Sequence, residues 1–381
     1  MLAKESPQTE TNYTQIVESI CNAAKLGLNG CYIDPFKQLP YTTRLKDCNQ
    51  VKVIGKSLRY AAISQIGIAR WIDYHAEDKK LLPNLFPAIL SRISEIQHIG
   101  DAALVLWAAI ESREPKPDRF IDVVLSLWPH QRDLCNAVEL GWVVQAAVLC
   151  AKSENSQWAE KIRPLLDDAY SHLKSLYCSQ HGLFRRHNRK GRFKVGRTVS
   201  CFADQIYPII AMSSYGAAFN DDWSIRCAAS VVESICKFQG PLGQWMWHYD
   251  VDSGKICEEY PIFSVHQDAM APMAIFAADK TAGTNHTSQI ELGMRWLWGQ
   301  NELKETLVLP DQGIIWRDIE RRELPKFSRI ARSVCCICRA DGMHRMLSKP
   351  LFGFKVNREC RPYHLGWILY AWADYMETSQ R

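Results

Sequence analysis

Apolar residues recur along most of this chain at the spacing of one helical face, and long runs alternating apolar and polar positions are hard to find. The class expected is therefore all-α. The periodic segments pair as outer then inner helices: 13–26 with 56–75, 83–97 with 99–112, and 117–128 with 137–152. Three further pairs follow, 157–178 with 199–216, 222–238 with 263–280, and 286–300 with 361–377. Six such pairs predict an (α/α)6 toroid. It would occupy 1–381 as one domain, with 301–360 a long insertion loop before the last inner helix.

A repeat supports this register. Gln180, Gln239 and Gln300 each follow a helix, 59 and 61 residues apart, and each is followed by a glycine and an aromatic residue. The instances are Gly182-Leu-Phe184, Gly243-Gln-Trp245 and, after an insertion, Gly313-Ile-Ile-Trp316. Repeats of this length mark stacked supersecondary units. Two inner segments also begin alike, Asp204-Gln-Ile-Tyr-Pro208 and Asp268-Ala-Met-Ala-Pro272, which predicts helix starts with Asp near the positive end of the dipole. Inner-to-outer links are short, whereas 27–55, 179–198, 239–262 and 301–360 are long and must gather at one end. Long ordered connections on a rigid scaffold usually carry function, and the inner-helix N-termini share that end. Asp204, His266, Asp268 and His364 are expected to face this common mouth.

Composition changes the picture in a few places. With 381 residues, 47% apolar and 23% charged, the chain can bury a large core, and no Gly/Ser-rich or Pro-rich linker divides it. Thirteen tryptophans, fourteen tyrosines and thirteen phenylalanines suit a lined cavity as well as a helical core. Met1 to Thr11 lacks the apolar stretch of a secretory signal and no run is long enough to span a bilayer, so the expected location is cytoplasmic. The fourteen cysteines are accordingly read as reduced thiols. The net charge of +5 is concentrated: the run from Arg185 to Arg197 holds seven Lys or Arg residues and no acid, including Arg185, Arg186 and Arg192. Arg317, Arg321, Arg322, Lys326 and Arg329 lie in a second basic segment at the same end. Two positive segments at one mouth favour a carboxylated, sulfated or phosphorylated substrate, although a solvated charge run would look the same. No nucleic-acid-binding motif accompanies these arginines, so nucleic acid is not the expected partner.

Paired carboxylates suit sugar chemistry, in which one protonates a leaving group while the other stays ionised. Asp204 and Asp268 are the candidate pair, against a helix-capping role for each. His266, with His364 or His248, would supply a group titrating near neutrality. Trp245, Trp247 and Tyr260 would form a stacking wall, against simple packing at the rim. Cys335 and Cys338 have the spacing of half a zinc site, but no second pair follows, and neither a phosphate loop nor a dinucleotide fingerprint is present. Neither metal nor cofactor is expected.

The stretch Gly243-Gln-Trp245-Met-Trp247-His248-Tyr-Asp250, followed by Glu258-Glu259-Tyr260 and an inner helix, resembles the six-hairpin glycosidase superfamily, near its unsaturated-uronyl hydrolases and uronyl epimerases. That resemblance implies an aromatic, acidic loop ahead of an inner helix whose first carboxylates take part in chemistry. The Gln239-x-x-x-Gly243-x-Trp245 spacing also matches the structural Gln-Trp motif of the terpene cyclase and prenyltransferase toroid. Asp250-Val-Asp252-Ser253 lacks the last carboxylate of the cyclase acid motif, so a cyclase would need Asp101, Asp204 or Asp268 instead. The leading expectation is a hydrolase, lyase or epimerase of an anionic, uronic-acid-containing glycan. Asp204, Asp268 and His266 would be catalytic. Arg185, Arg186, Tyr207, Trp245, Trp247, His248, Asp250, Glu258, Tyr260, Trp316, Arg317 and His364 would hold substrate. An isoprenoid cyclase and a non-catalytic binding toroid stay open, as do the substrate and the oligomeric state.

Overall fold

The computed structural model describes residues 12–34, 39–45, 51–188, 198–322, 325–348, 350 and 352–380. Six inner helices form its centre: α2 (Leu58–Tyr74), α4 (Ile99–Glu111), α6 (Ala137–Ala151), α8 (Ala203–Phe219), α10 (Ala271–Ala282) and α14 (Pro362–Gln380). Each packs on the next, and α14 packs back on α2, so the ring closes. Outside lie α1 (Tyr13–Cys31), α3 (Phe86–Leu90), α5 (Asp118–Gln131), α7 (Ser156–Ser175), α9 (Asp222–Lys237) and α11 (Thr287–Leu297). The architecture is all-α and toroidal. Among the described residues no helix is long and apolar enough to cross a membrane.

Sequence separates the two layers. The α4 run from Ile99 to Ala109 is buried almost all round, whereas α9 buries only Ser224, Cys227, Ala228, Val231, Val232 and Ile235, one stripe at helical spacing. The predicted outer helix 83–97 is shorter than expected. It reduces to α3 and a single 3₁₀ turn at Ile93–Glu95, because Pro83 and Pro87 restrict where a helix can start.

The Gly-aromatic repeat has a physical cause. Gly243 and Gly313 lie at φ +93° and +63°, where a side chain is strained, and each seats its segment on the backbone of an outer helix. A Cβ on Gly243 would stand 2.2 Å from the Leu292 carbonyl oxygen of α11, and one on Gly313 would stand 2.4 Å from the Gly27 nitrogen of α1. The third copy therefore locks the last repeat onto the first helix. The aromatic residues that follow, Phe184, Trp245 and Trp316, are all buried. Gln239 donates to the carbonyls of Gly243 and Gln289, tying its loop to α11.

The long connections carry short strands of two to four residues, too short for a period-two signal to register in sequence. One sheet joins β1 (Val199–Cys201), β2 (His248–Asp250) and β3 (Lys255–Glu258), just ahead of α8. Another joins β4 (Ile262–Phe263), β5 (Asp318–Arg321) and β6 (Phe354–Asn357), between the starts of α10 and α14. Rather than being a plain loop, 301–360 also holds α12 (Pro325–Ile337) and α13 (Asp341–Leu347). A buried ion pair fastens this segment: Arg332 Nε donates to Glu258 at 2.5 Å, and its Nη1 donates to the Leu347 carbonyl at 3.1 Å. Arg332→Met removes the hydrogen-bonded partner of the buried Glu258 carboxylate, leaving Arg321 3.9 Å away. The expected cost is about 3–5 kcal/mol, read by denaturant unfolding and by faster proteolysis within 325–348.

Candidate active site

The N-terminal ends of the six inner helices meet at one end of the ring, flanked by the two three-stranded sheets. A tyrosine stack runs along part of this rim. Tyr60 lies against Tyr41 at 5.0 Å and against Tyr363 at 4.5 Å between ring centroids, and the Arg361 guanidinium covers Tyr41 at 3.9 Å. Beside Tyr60, Arg59 Nε donates to Asp101 at 2.6 Å while its guanidinium lies 5.4 Å from the Trp142 ring. Glu139 heads α6 as half of a capping box with Asn136 and stands 3.5 Å from His98 Nε2. The Asp101 and Glu139 side chains keep 27% and 13% of their surface exposed, so solvent reaches two carboxylates on neighbouring inner helices.

The other side of the rim holds two guanidiniums around Glu359. Arg361 Nη2 bonds it at 2.5 Å and Arg317 Nη1 reaches it at 3.4 Å. Arg361 Nη1 and Arg317 Nε are buried and make no hydrogen bond among the described residues. Asp318 lies 3.6 Å from Arg317 Nε and accepts from Asn357 at 3.2 Å. Burial pushes the Asp318 carboxyl up to about 7, with Arg317 opposing the shift and Glu320 and Glu359 adding to it. Below that pH the group is neutral, and the two arginines face a single negative charge, Glu359.

A deeper layer is formed at the start of α10, where His266–Met270 makes a π-turn. Asp268 is fully buried and bonds His364 Nε2 at 2.6 Å, while its second oxygen has no hydrogen bond among the described residues. Pro272, four residues on, has no N–H to give the Asp268 carbonyl. That carbonyl instead accepts from the Trp372 indole at 2.6 Å, joining α10 to α14. Burial holds the Asp268 carboxyl above its ordinary range.

Comparison with known proteins follows from this architecture. No protein-family model matches the chain, and no curated protein matches it in sequence. Solved structures do match over nearly the whole length. One is an unsaturated glucuronyl hydrolase specific for heparin, with TM-score 0.61, 10% identity, and 97% of this chain and 99% of that one covered. Another is a mutant unsaturated glucuronyl hydrolase from Streptococcus agalactiae complexed with dGlcA-GalNAc6S, with TM-score 0.57, 12% identity and coverages of 97% and 93%. A possible member of the GH105 family from Salmonella enterica gives TM-score 0.55, 10% identity and coverages of 98% and 97%. The fold is the (α/α)6 glycosidase-like fold.

Within this glycosidase-like toroid the residues read from sequence separate into distinct environments. Asp204 and Asp268 do start neighbouring inner helices, but among the described residues they share no hydrogen-bond partner. Asp204 is buried and accepts from the Cys201 amide at 2.8 Å, with Arg186 and His187 as its charged neighbours, so it caps a turn. Asp268 is paired instead with His364. His266, expected to titrate near neutrality, is pushed down to about 3 by burial and sits between Phe202 and Phe263 at 4.5 and 5.0 Å. It stays uncharged at neutral pH.

Several expected substrate contacts have partners within the fold. Trp245 is fully buried and packs on Phe202 at 5.8 Å. Asp250 caps the β2–β3 turn, accepting from Ser253 Oγ and the Asp252 amide. Glu258 anchors Arg332, and Tyr260 donates to Glu302 at 2.5 Å. Arg185 pairs with Asp252 at 2.8 Å, and Trp316 is buried with its carbonyl accepting from Ser264 Oγ at 2.5 Å. Trp247 and His248 stack at 4.0 Å and remain partly exposed, and Tyr207 lines the bore against Trp142 at 5.2 Å. Arg192 lies outside the described residues, as do the side chains of Lys326 and Arg329. Among the described residues no three His, Cys, Asp or Glu side chains gather as a metal site would require.

Sequence reasoning missed Arg59, Glu139, Asp318, Glu359 and Arg361. For Asp318 a signal existed: it stands two residues after Trp316, as Trp247 does after Trp245 and Arg186 after Phe184. Glu139 was hidden because Asn136-x-x-Glu139 reads as an ordinary capping box.

Proposed function

We propose that this chain is a glycan hydrolase acting on a saccharide that carries a uronic acid. The observation that carries the reading is the rim itself, where two arginines with unsatisfied N–H groups are joined by the Tyr41–Tyr60–Tyr363 stack to the solvent-reachable carboxylates Asp101 and Glu139. Arg317 and Arg361 hold the substrate carboxylate, a geometry that guanidinium donors suit. Tyr41, 40% exposed at the end of the stack, offers aromatic surface to the sugar. Asp101, ion-paired to Arg59, serves as the base that activates water, and Glu139 donates the proton. The hydrolases of this fold are named for unsaturated glucuronyl substrates, which supports the same class here. The isoprenoid cyclase reading has no comparable support. Of its candidate acids, Asp204 is spent on the Cys201 turn, Asp268 is bonded to His364 and Asp101 is paired with Arg59, and the rim is lined with charge.

Asp318 makes the reading testable by pH. As the pH rises through about 7, its carboxyl ionises and competes with substrate for Arg317. KM for an anionic saccharide is therefore expected to rise above pH 7 while kcat changes little, and Asp318→Asn should remove the rise. The stability sign is opposite to that of an ordinary salt-bridged Asp. The folded-state value lies above the usual 3.8, so the folded protein holds the extra proton and this group's contribution is lost as pH climbs from about 4 to 7. A KM that stays flat as the pH is raised through 7 and beyond would remove Asp318 from substrate binding.

A further inference from the structure

A cavity lies at the opposite end of the ring, where the inner helices finish. It measures about 610 Å³, and all six inner helices contribute to its lining, among them Arg70, Glu111, Gln145, Ser213, Phe276 and Tyr370. Between this cavity and the rim, Trp107 and Trp367 are wholly buried and pack at 5.5 Å, closing the bore. With α2 alone about 25 Å long, the two ends are separate compartments.

Three polar atoms in this lining are buried and unsatisfied among the described residues: Arg70 Nε, Gln145 Oε1 and Ser213 Oγ. Gln145 and Ser213 are 3% and 1% exposed, so both side chains are ordered inside the ring rather than waving in solvent. Buried polar groups normally find partners, because an unpaired one costs about 1–3 kcal/mol. The set is mixed: a donor from Arg70, an acceptor from Gln145 and a hydroxyl that does either. Phe276 adds a half-buried aromatic face.

The charge around the cavity argues against an ionic ligand. Arg70, Lys152 and Lys280 are opposed by Glu111 and Asp374. Lys280 is 3.6 Å from Asp374, and the negative ends of six helix dipoles point the same way. An anion would meet the acids and carbonyl ends, and a cation would meet Arg70. We propose that this cavity is a second binding site, distinct from the rim, for one neutral polyhydroxylated ring such as a pyranose. Hydroxyl groups both donate and accept, which fits the three unsatisfied atoms, and the apolar ring face lies on Phe276. A volume of this size is ordinary for a small-molecule site. The proposal stands independently of the chemistry at the rim.

The test is calorimetric titration of the full chain with methyl β-glucoside, and separately with glucuronate. One saturable site for methyl β-glucoside is expected in the native protein and equally in Glu139→Gln. Ser213→Ala or Gln145→Leu should weaken it by about tenfold, the scale of one lost hydrogen bond. Ala277→Phe, at a half-buried position of the lining, should block it while leaving the circular dichroism unchanged. Glucuronate is expected to bind this site no more tightly than the neutral sugar. Absence of saturable neutral-sugar binding, or binding that Ser213→Ala and Ala277→Phe leave intact, would overturn the proposal. So would binding lost only in Glu139→Gln.

Discussion

Glu139→Gln is expected to lower kcat on a uronyl disaccharide by about a hundredfold or more, the usual contribution of a positioned proton donor. The substitution is informative because glutamine also completes a capping box, so the α6 N-terminus keeps its bond to the Asn136 amide. Fold and KM should be nearly unchanged. Asp101→Asn should give a loss of similar size through the other half of the chemistry, and the double variant should fall little further, since residues acting as a unit are not additive. Steady-state kinetics with circular dichroism on the same preparations decides the matter. Full activity in either single variant would remove that residue from the mechanism.

Gly67→Ala is expected to be the most damaging small substitution in the ring. A Cβ at Gly67 would stand 1.8 Å from the Gly366 carbonyl oxygen, where α2 and α14 close the toroid backbone against backbone. Neither atom belongs to a flexible side chain, so the clash is relieved only by moving a helix. The cost should reach or exceed the upper end of the roughly 1–3 kcal/mol typical of overpacking. Gly30→Ala is the control. It lies on the exposed side of α1 with nothing within 4 Å of its would-be Cβ, and the better helix propensity of alanine should stabilise the protein by up to about 1 kcal/mol. Equal Tm values for the two variants would contradict this account of ring closure.

The toroid was legible in the sequence because helix pairs write a strong periodic signal and because the repeat glycines are required by backbone contacts that no other residue permits. Gly243 and Gly313 are the clearest cases. The site was less legible, for reasons that are also physical. Asp204 and Asp268 carry the same Asp-x-x-x-Pro pattern, yet one closes a turn on Cys201 and the other bonds His364 from a different helix. No local pattern encodes which. His266 reads as a titrating group only until its burial between two phenylalanines is known. Arg59 and Asp101 are forty-two positions apart and meet only through the ring. The arginines look alike in sequence, yet Arg317 reaches Glu359 at the rim while Arg185 and Arg332 are spent on internal pairs.

The rim's claim on a uronyl saccharide is tested most directly by following an unsaturated uronyl disaccharide through the ultraviolet absorbance of its conjugated double bond. The native chain is expected to discharge that absorbance and release the second sugar, with activity lost in Glu139→Gln and with KM raised in Arg317→Gln. Saturable binding of the disaccharide with no turnover, or turnover that ignores both substitutions, would contradict it.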